Sequence, residues 1–369
     1  MVHREVNVMT LGMRKHGELS RREWMKSAAG AACFIPLAVS SGLSDATQTP
    51  KLTRIDAHTH LEWAGWRAPK PVRPVRTRKS RPGWVEMTQR PERAAEYGQM
   101  VRTVKSYEEY AKLYVQEMDA AGIATSCINA MDRELEGYYQ VPYWDILKQL
   151  AKVRDAYPDR FILFCGIDPH RGARGVELLE RAVKELGYRG MGEMLPHYHN
   201  FSPDDQKVVY PLYRKCMELN IPVSTNTSAI PGAARGYVCN PERLEEVNYD
   251  FPDLNICLSS AGSPYWTEAA LGLATLKGGI YLDTADWQVT DALGIKRYLE
   301  FLRRALDSAA RYKIMYGSDN PVYRRMYNLK EWIDILINDA PKHGFKFTDE
   351  ELHLYFTQNF NDYLKGVPG

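Results

Sequence analysis

The sequence predicts an α/β chain that folds as a closed (β/α)8 TIM barrel. Short apolar, β-branched runs alternate with longer stretches of helical periodicity, which is typical of βα units around a parallel sheet. The 369 residues suffice for a barrel of about 250 residues with insertions. Eight runs can be counted, so a closed barrel is favoured, although an open parallel sheet remains the alternative on the count alone. The runs are LTRIDAHTH (52–60), ATSCINAMD (124–132), FILFCGIDPH (161–170), RGMGEML (189–195), IPVSTNTSA (221–229), NICLSSAGS (255–263), GIYLDTAD (279–286) and KIMYGSDNP (313–321).

Amphipathic segments between these runs predict the surrounding helices, because their apolar residues recur at intervals of three and four. A helix over 106–122 is expected to feed the second strand. In the C-terminal part Thr348 is a suitable N-cap, and Glu351 would complete a capping box. The other predicted helical segments are YWDILKQLAKVRDAYP (143–158), GVELLERAVKELG (175–187), VVYPLYRKCMELN (208–220), IKRYLEFLRRALDSAARY (295–312), EWIDILINDA (331–340) and TDEELHLYFTQNFNDYL (348–364).

The N-terminal segment 1–46 is predicted to be a signal peptide rather than part of the barrel, which would occupy 47–369. SRREWMK (20–26) resembles a twin-arginine signal, and small residues that suit cleavage follow an Ala-rich stretch. This predicts export to the periplasm or the outside. An N-terminal anchor or a basic amphipathic helix is the alternative. The apolar stretch 28–39 contains Pro36 and is shorter than the ~20 residues of a spanning helix, so no stable membrane insertion is expected.

Charge limits the classes of partner. The chain has 48 basic and 46 acidic residues, a balance that argues against nucleic-acid binding as its main function. One segment, 66–84, departs from this balance with seven basic residues, no acidic residue and four prolines. It cannot form a regular helix or a central strand. It is predicted to be an insertion, either a solvated loop or an Arg-rich lid that meets a carboxylate-bearing substrate.

A histidine pair and an aspartate predict a metal site. His58 and His60 lie two residues apart at the end of the first predicted strand, so their side chains project together while Thr59 points away. Asp319 lies at the end of the eighth run. Because catalytic groups of a parallel barrel come from the C-terminal ends of its strands, these three side chains are expected to meet. Asp319 could act as a metal ligand, as a general base for water, or as both.

These segments resemble the amidohydrolase superfamily, and within it the amidohydrolase-2 branch that contains aminocarboxymuconate-semialdehyde decarboxylase. The resemblance covers roughly residues 52 to 366. It implies a metal-dependent hydrolase type of barrel that hydrolyses C–O or C–N bonds or decarboxylates an unsaturated or aromatic acid. The segments that carry it are IDAHTH (55–60), YPLYRKCMELNIPV (210–223), LSSAGSPYW (258–266) and MYGSDNPVY (315–323).

Three positions depart from the pattern that this resemblance implies. The family usually has a lysine on strand four, a metal-binding histidine on strand five and a catalytic histidine on strand six. Here Glu193, Asn226 and Ser260 stand at those places. In one interpretation the site is rebuilt: Glu193 joins the two histidines and Asp319 as a ligand and acid/base group, Asn226 offers an amide oxygen to the cation, and Ser260 orients water or substrate. In the other, the loss of two imidazoles leaves a barrel that binds a ligand without turnover.

Further polar and aromatic residues are candidates for substrate contact. His197 and His199 follow the fourth strand, and Trp63 follows the histidine pair. Asn226 is also assigned to substrate binding. Asp283 and Asp286, in the seventh run, are expected to have structural or substrate-contacting roles rather than to be ligands.

Together these features predict an exported enzyme that acts on a small molecule, with Asp319, Glu193 and Ser260 as catalytic groups. The Arg-rich segment favours a carboxylate as that molecule. His58, His60, Glu193 and Asp319 would hold a divalent cation. Zinc is favoured, and manganese or iron are alternatives, because two imidazoles and two carboxylates suit all three. A catalytically degenerate barrel that binds a ligand or serves as a scaffold is the alternative function. A homo-oligomer is compatible with the sequence.

Overall fold

The computed structural model describes residues 53–69, 90–228, 235–288 and 294–365. Within them eight parallel strands form two hydrogen-bonded sheets, one with strands one to three and one with strands four to eight, each in chain order. Single parallel bridges join Phe164 to Gly190 and Thr59 to Asn320, linking the sheets at both seams. The predicted (β/α)8 barrel is confirmed. The strands are β1 (Arg54–Thr59), β2 (Ile123–Ala130), β3 (Phe161–Cys165), β4 (Met191–Met194), β5 (Val223–Asn226), β6 (Ile256–Ser259), β7 (Ile280–Asp283) and β8 (Ile314–Met315).

Helices follow the strands in the order that the periodicity predicts. The α-helices are α1 (Pro91–Thr103), α2 (Tyr107–Ala121), α3 (Tyr143–Ala156), α4 (Ala173–Leu186), α5 (Pro196–His199), α6 (Tyr210–Leu219), α7 (Arg243–Asp250), α8 (Thr267–Leu276), α9 (Ile295–Leu306), α10 (Leu329–Asp334), α11 (Asp349–His353) and α12 (Asn359–Leu364). Short 3-10 turns lie at Ala64–Trp66, Pro169–Arg171, Gly236–Cys239, Ser260–Gly262, Ala309–Tyr312 and Ala340–His343, and π-helical turns at Ile335–Asp339 and Leu354–Gln358.

Local sequence signals explain where several helices begin and end. The Ser106 side chain accepts a hydrogen bond from the Glu109 backbone N–H and caps α2, which ends at Gly122 in the left-handed conformation. The predicted capping box of Thr348 and Glu351 is present at the start of α11. These caps satisfy backbone groups that the helix itself leaves without partners.

One helical prediction needs correction, and one helix was not predicted. The segment 295–312 is not one helix: α9 ends at Leu306, and Ser308 is extended, where its hydroxyl accepts a hydrogen bond from the Ala310 N–H and starts a separate 3-10 turn. Helix α1 was not predicted, because it has no buried residue and therefore no apolar periodicity to detect.

A buried carboxyl group on the first strand binds the segment that follows the last strand. Asp56 of β1 accepts hydrogen bonds from the backbone N–H of Ser318, at 2.9 Å, and from its hydroxyl, at 2.5 Å. The His60 N–H donates to the Asn320 carbonyl at 2.7 Å. These contacts fix the segment after β8 against the end of β1, and so bring Asp319 to the histidine pair.

Two predictions concern segments outside the described residues. The signal peptide 1–46 lies there entirely, and of the insertion 66–84 only 66–69 is described. Among the residues that the structure describes, no helix has the length and apolar character needed to span a membrane.

Candidate metal centre

The two histidines at the end of β1 face each other through one nitrogen each. Their Nε2 atoms lie 3.1 Å apart. The opposite nitrogens are engaged: His58 Nδ1 lies 3.0 Å from Asp283 Oδ2, and His60 Nδ1 lies 2.7 Å from the Asn129 carbonyl oxygen. Both partners are acceptors, so each Nδ1 carries a proton, and a cation that displaces the proton from Nε2 would meet both Nε2 lone pairs at the same point. Two lone pairs at this distance fit a shared cation.

Carboxylate oxygens complete the donor set. Glu193 Oε2 lies 3.8 Å from His58 Nε2 and 3.5 Å from His60 Nε2, while Asp319 Oδ1 lies 3.3 Å from His60 Nε2. The candidate ligand atoms of His58, His60 and Glu193 all lie within 4.8 Å of one another. Two imidazole nitrogens and two carboxylate oxygens suit a divalent transition metal. The residues present therefore fit the cation that the sequence predicts.

The electrostatics of the cluster favour positive charge at its centre. Burial lowers the pKa of His58, but the carboxylates of Asp283 and Glu193 outweigh this and raise it to about 10. Burial likewise opposes protonation of His60, yet its pKa is raised because Asp319 accepts its hydrogen bond. Burial raises the pKa of Glu193, against the effect of both histidines. The cluster is thus rich in negative charge, which a bound cation would balance.

Asp283, at the end of β7, fixes the orientation of His58. Its Oδ1 accepts hydrogen bonds from the backbone N–H groups of Ser260 and Ala285, at 2.9 and 3.0 Å. Its Oδ2 accepts from His58 and from the Cys257 thiol. Burial alone would raise the pKa of Asp283, but His58 and these donors lower it, so the carboxylate stays ionised. A carboxylate held in this way fixes the tautomer and direction of a metal-binding imidazole.

Asn226 orients Glu193 instead of offering an oxygen to the cation. Its side-chain NH2 donates to Glu193 Oε1 at 3.0 Å, and its Oδ1 accepts from the Ser228 backbone N–H at 3.1 Å. The Ser228 donor determines which end of the amide is oxygen, so the NH2 group must face Glu193. Ser260, directly after β6, lines the same pocket. The expectation that the amide oxygen is a ligand does not agree with this geometry.

A pocket of about 210 Å³ opens beside the cluster. Of the residues assigned from the sequence, it brings together His58, His60, Glu193, His197, Asn226, Ser260, Asp286 and Asp319. Two others lie elsewhere. His199 is buried with its Nε2 2.6 Å from the Asp132 carbonyl oxygen, and Trp63 lines a neighbouring pocket with Glu62 and Arg67. Their roles in substrate binding stay predictions.

The pocket also contains a buried arginine that the sequence analysis missed. Arg133, three residues after β2, is 6% exposed, and its guanidinium lies 3.8 Å and 4.2 Å from the ring centroids of Tyr138 and Tyr198. One terminal nitrogen donates to Glu136 at 3.0 Å, while Nε has no hydrogen-bond partner among the described residues. Its position three residues after β2 could have identified it as a site residue, because the C-terminal ends of the strands face the site.

Comparison with known proteins gives the family. A profile described as amidohydrolase matches residues 55–359. The chain belongs to the amidohydrolase family. Among curated proteins, none matches the sequence.

Solved structures of other proteins share the fold. An uncharacterised TIM-barrel protein from Bordetella bronchiseptica is 21% identical, with a TM-score of 0.58 over 85% of this chain and 98% of that chain. The 5-carboxyvanillate decarboxylase from Novosphingobium aromaticivorans, complexed with manganese and 4-hydroxy-3-methoxy-5-nitrobenzoic acid, is 15% identical (TM-score 0.55; 89% and 100% covered). The 2,6-dihydroxybenzoate decarboxylase from Rhizobium is also 15% identical (TM-score 0.52; 85% and 99% covered).

Proposed function

We propose that the protein is a metal-dependent enzyme that removes CO2 from a small aromatic or unsaturated carboxylic acid. The observation that carries the proposal is the pair of Nε2 atoms, 3.1 Å apart, whose rings are both oriented by acceptors behind them. Asp283 behind His58 holds the ring in the tautomer that turns Nε2 towards a cation. A divalent cation bound there would polarise a substrate oxygen and stabilise negative charge that develops on it.

The chain's own residues supply orientation and binding. His58, His60, Glu193 and Asp319 would hold the cation, which agrees with zinc, manganese or iron; manganese is the metal in the related decarboxylase complex. Asn226 keeps Glu193 Oε2 turned to the histidines by binding its other oxygen. Ser260 lies at the pocket wall, where its backbone supports Asp283 rather than the substrate.

Arg133 favours a carboxylate-bearing substrate. Its guanidinium is buried between two tyrosine rings, and its Nε faces no acceptor among the described residues. A charged donor in a dry pocket binds a carboxylate more strongly than an exposed one, because water competes less for the hydrogen bond. The related decarboxylases act on benzoates, and a pocket of about 210 Å³ accepts a single substituted ring.

The function is tested by metal content and CO2 release. Purified protein supplied with Zn²⁺, Mn²⁺ or Fe²⁺ is expected to contain about one ion per chain by elemental analysis, as the one donor cluster found among the described residues implies. With that ion it should release CO2 from at least one of a panel of hydroxylated benzoates that includes 5-carboxyvanillate and 2,6-dihydroxybenzoate, and EDTA should abolish the release. Metal-bound protein that only binds panel members without turnover would favour the ligand-binding alternative.

A control variant separates substrate binding from metal binding. Arg133→Met keeps the length and apolar stem of the side chain but removes its charge. Metal content should be unchanged, whereas KM for the active benzoate should rise at least about tenfold, as expected for a lost charge-assisted hydrogen bond of about 1.5–3 kcal/mol. Unchanged KM would remove Arg133 from the carboxylate site.

We also propose that residues 1–46 direct export by the twin-arginine route, which carries folded proteins with their cofactors. The proposal is supported by SRREWMK (20–26) and the small residues that follow the apolar stretch. Replacing Arg21 and Arg22 together by lysine should retain the full-length protein in the cytoplasm, as measured by cell fractionation. An unchanged distribution would contradict this route.

A further inference from the structure

Asp286 is a buried carboxyl group at the pocket wall for which the site described so far has no use. It lies three residues after the end of β7, is 7% exposed and has a backbone φ of 64°, in the left-handed region that non-glycine residues seldom adopt. Such a conformation is strained and persists only where surrounding structure imposes it. The backbone is thus held in a form that presents this side chain to the pocket.

The contacts of Asp286 leave one oxygen available. The side chains of Tyr323 and Ser228 form hydrogen bonds with its carboxyl group. Its Oδ1 is buried and has no hydrogen-bond partner among the described residues. Leaving a buried carboxyl oxygen without a hydrogen-bond partner costs free energy. We therefore expect the ligand or a solvent molecule in the pocket to supply that partner.

The surroundings of Asp286 also favour its protonated form. Burial raises its pKa to about 8, and the Asp319 carboxylate adds to this, while hydrogen bonds with Tyr323 and Ser228 act in the opposite direction. The Glu193 carboxyl group also raises the pKa of Asp286. Below about pH 8 the Asp286 carboxyl group therefore carries a proton. A cation held by Glu193 and Asp319 would weaken their effect and move this pKa downward.

The four residues that would hold the cation are not free to act as proton donors, and three other pocket residues do not offer that proton. Ser260 occupies the strand-six position, and a serine hydroxyl does not exchange protons at neutral pH as an imidazole does. Burial lowers the pKa of His197 to about 3, so that ring is neutral. Burial raises the pKa of Tyr323 well above its ordinary value, which makes its hydroxyl a weak acid.

We propose that Asp286 is the proton donor of the reaction, in the place of the missing strand-six imidazole; this rests on the proposed decarboxylase function. The Asp286 O–H bond breaks and its proton forms a C–H bond at the carbon that bears the substrate carboxylate. The C–C bond to that carboxylate then breaks, CO2 leaves, and the bonding electrons remain with the carbon. After product release the Asp286 carboxylate regains a proton from solvent.

Asp286→Asn tests the proposal in the metal-loaded enzyme. The variant should keep its metal content and the wild-type KM within about threefold, while kcat falls about 100- to 10,000-fold, the usual contribution of a general acid. Wild-type kcat/KM should fall as pH rises through the pKa of the donor, at or below about 8, and the variant should lack this limb. Asp168→Asn is the matched control: Asp168 is a buried carboxyl at a strand end that accepts from the His170 N–H and does not line the pocket.

An infrared measurement tests whether Asp286 carries the proton, and it does not depend on an activity assay. The wild type at pH 6 should show the carbonyl band of a protonated carboxyl group that Asp286→Asn lacks, and Mn²⁺ should lower the pH at which this band disappears. Asp56, whose pKa burial raises to about 7, contributes the same band to both proteins. An unchanged band or an unchanged kcat would overturn the role of Asp286 while the decarboxylase function stands. A wild type without metal or CO2 release would overturn the function, whatever the band shows.

Discussion

A chain in which His58 and His60 are both replaced by alanine is expected to fold and to bind no divalent cation in stoichiometric amount. The double variant keeps Glu193 and Asp319, but two carboxylates without imidazole are a weak site for zinc, manganese or iron. Asp283 retains the N–H groups of Ser260 and Ala285 as partners, so its buried carboxylate is not left bare.

Elemental analysis and thermal unfolding check this expectation together. Added cation at 100 times its Kd should stabilise the wild type by about 2.7 kcal/mol and should not raise the Tm of the double variant. A matched control replaces His343 and His353 by alanine, because both are exposed and lie outside the pocket. Its metal content should equal that of the wild type. A double variant at His58 and His60 that still holds one ion per chain would place the cation elsewhere.

The sequence predicted the barrel because its strands and helices differ in period and composition. Segment 221–229, for example, starts with apolar residues and is rich in β-branched side chains, and Val223–Asn226 forms β5 within it. The predictions were less exact at helix ends. The break at Ser308 depends on a side chain that competes for a backbone N–H, a local contact that apolar periodicity does not register.

The candidate metal ligands could be predicted from the sequence, but the residues that orient these ligands could not. Histidines two residues apart on a strand must point together, and the structure places their Nε2 atoms 3.1 Å apart. The group that fixes His58 comes from β7, 225 residues further along the chain. No spacing rule relates two such positions. Asn226 likewise has a donor and an acceptor end, and only the neighbouring Ser228 N–H determines which of them faces Glu193.

Asp283→Asn is expected to weaken metal binding about 10- to 100-fold, the range found for partners of metal-binding histidines. The carboxylate has four donors: two backbone N–H groups, the Cys257 thiol and His58 Nδ1. An amide has only one oxygen, so its NH2 group must face either the backbone donors or the ring. If it faces the ring, His58 has to change tautomer and place its proton on Nε2, where the cation should bind.

Isothermal titration of the metal-free proteins with Mn²⁺ or Zn²⁺ measures the effect, and Asp168→Asn serves again as the carboxyl-to-amide control with wild-type affinity expected. Asp283→Asn should lower the metal affinity while Glu193 and Asp319 keep their positions, because Asp283 contacts His58 rather than either carboxylate. Adding Cys257→Ser would not restore it, because a hydroxyl supplies a donor and no negative charge. Equal affinity in the wild type and in Asp283→Asn would mean that Ser259, whose hydroxyl lies 2.9 Å from His58 Nδ1, suffices to hold the ring.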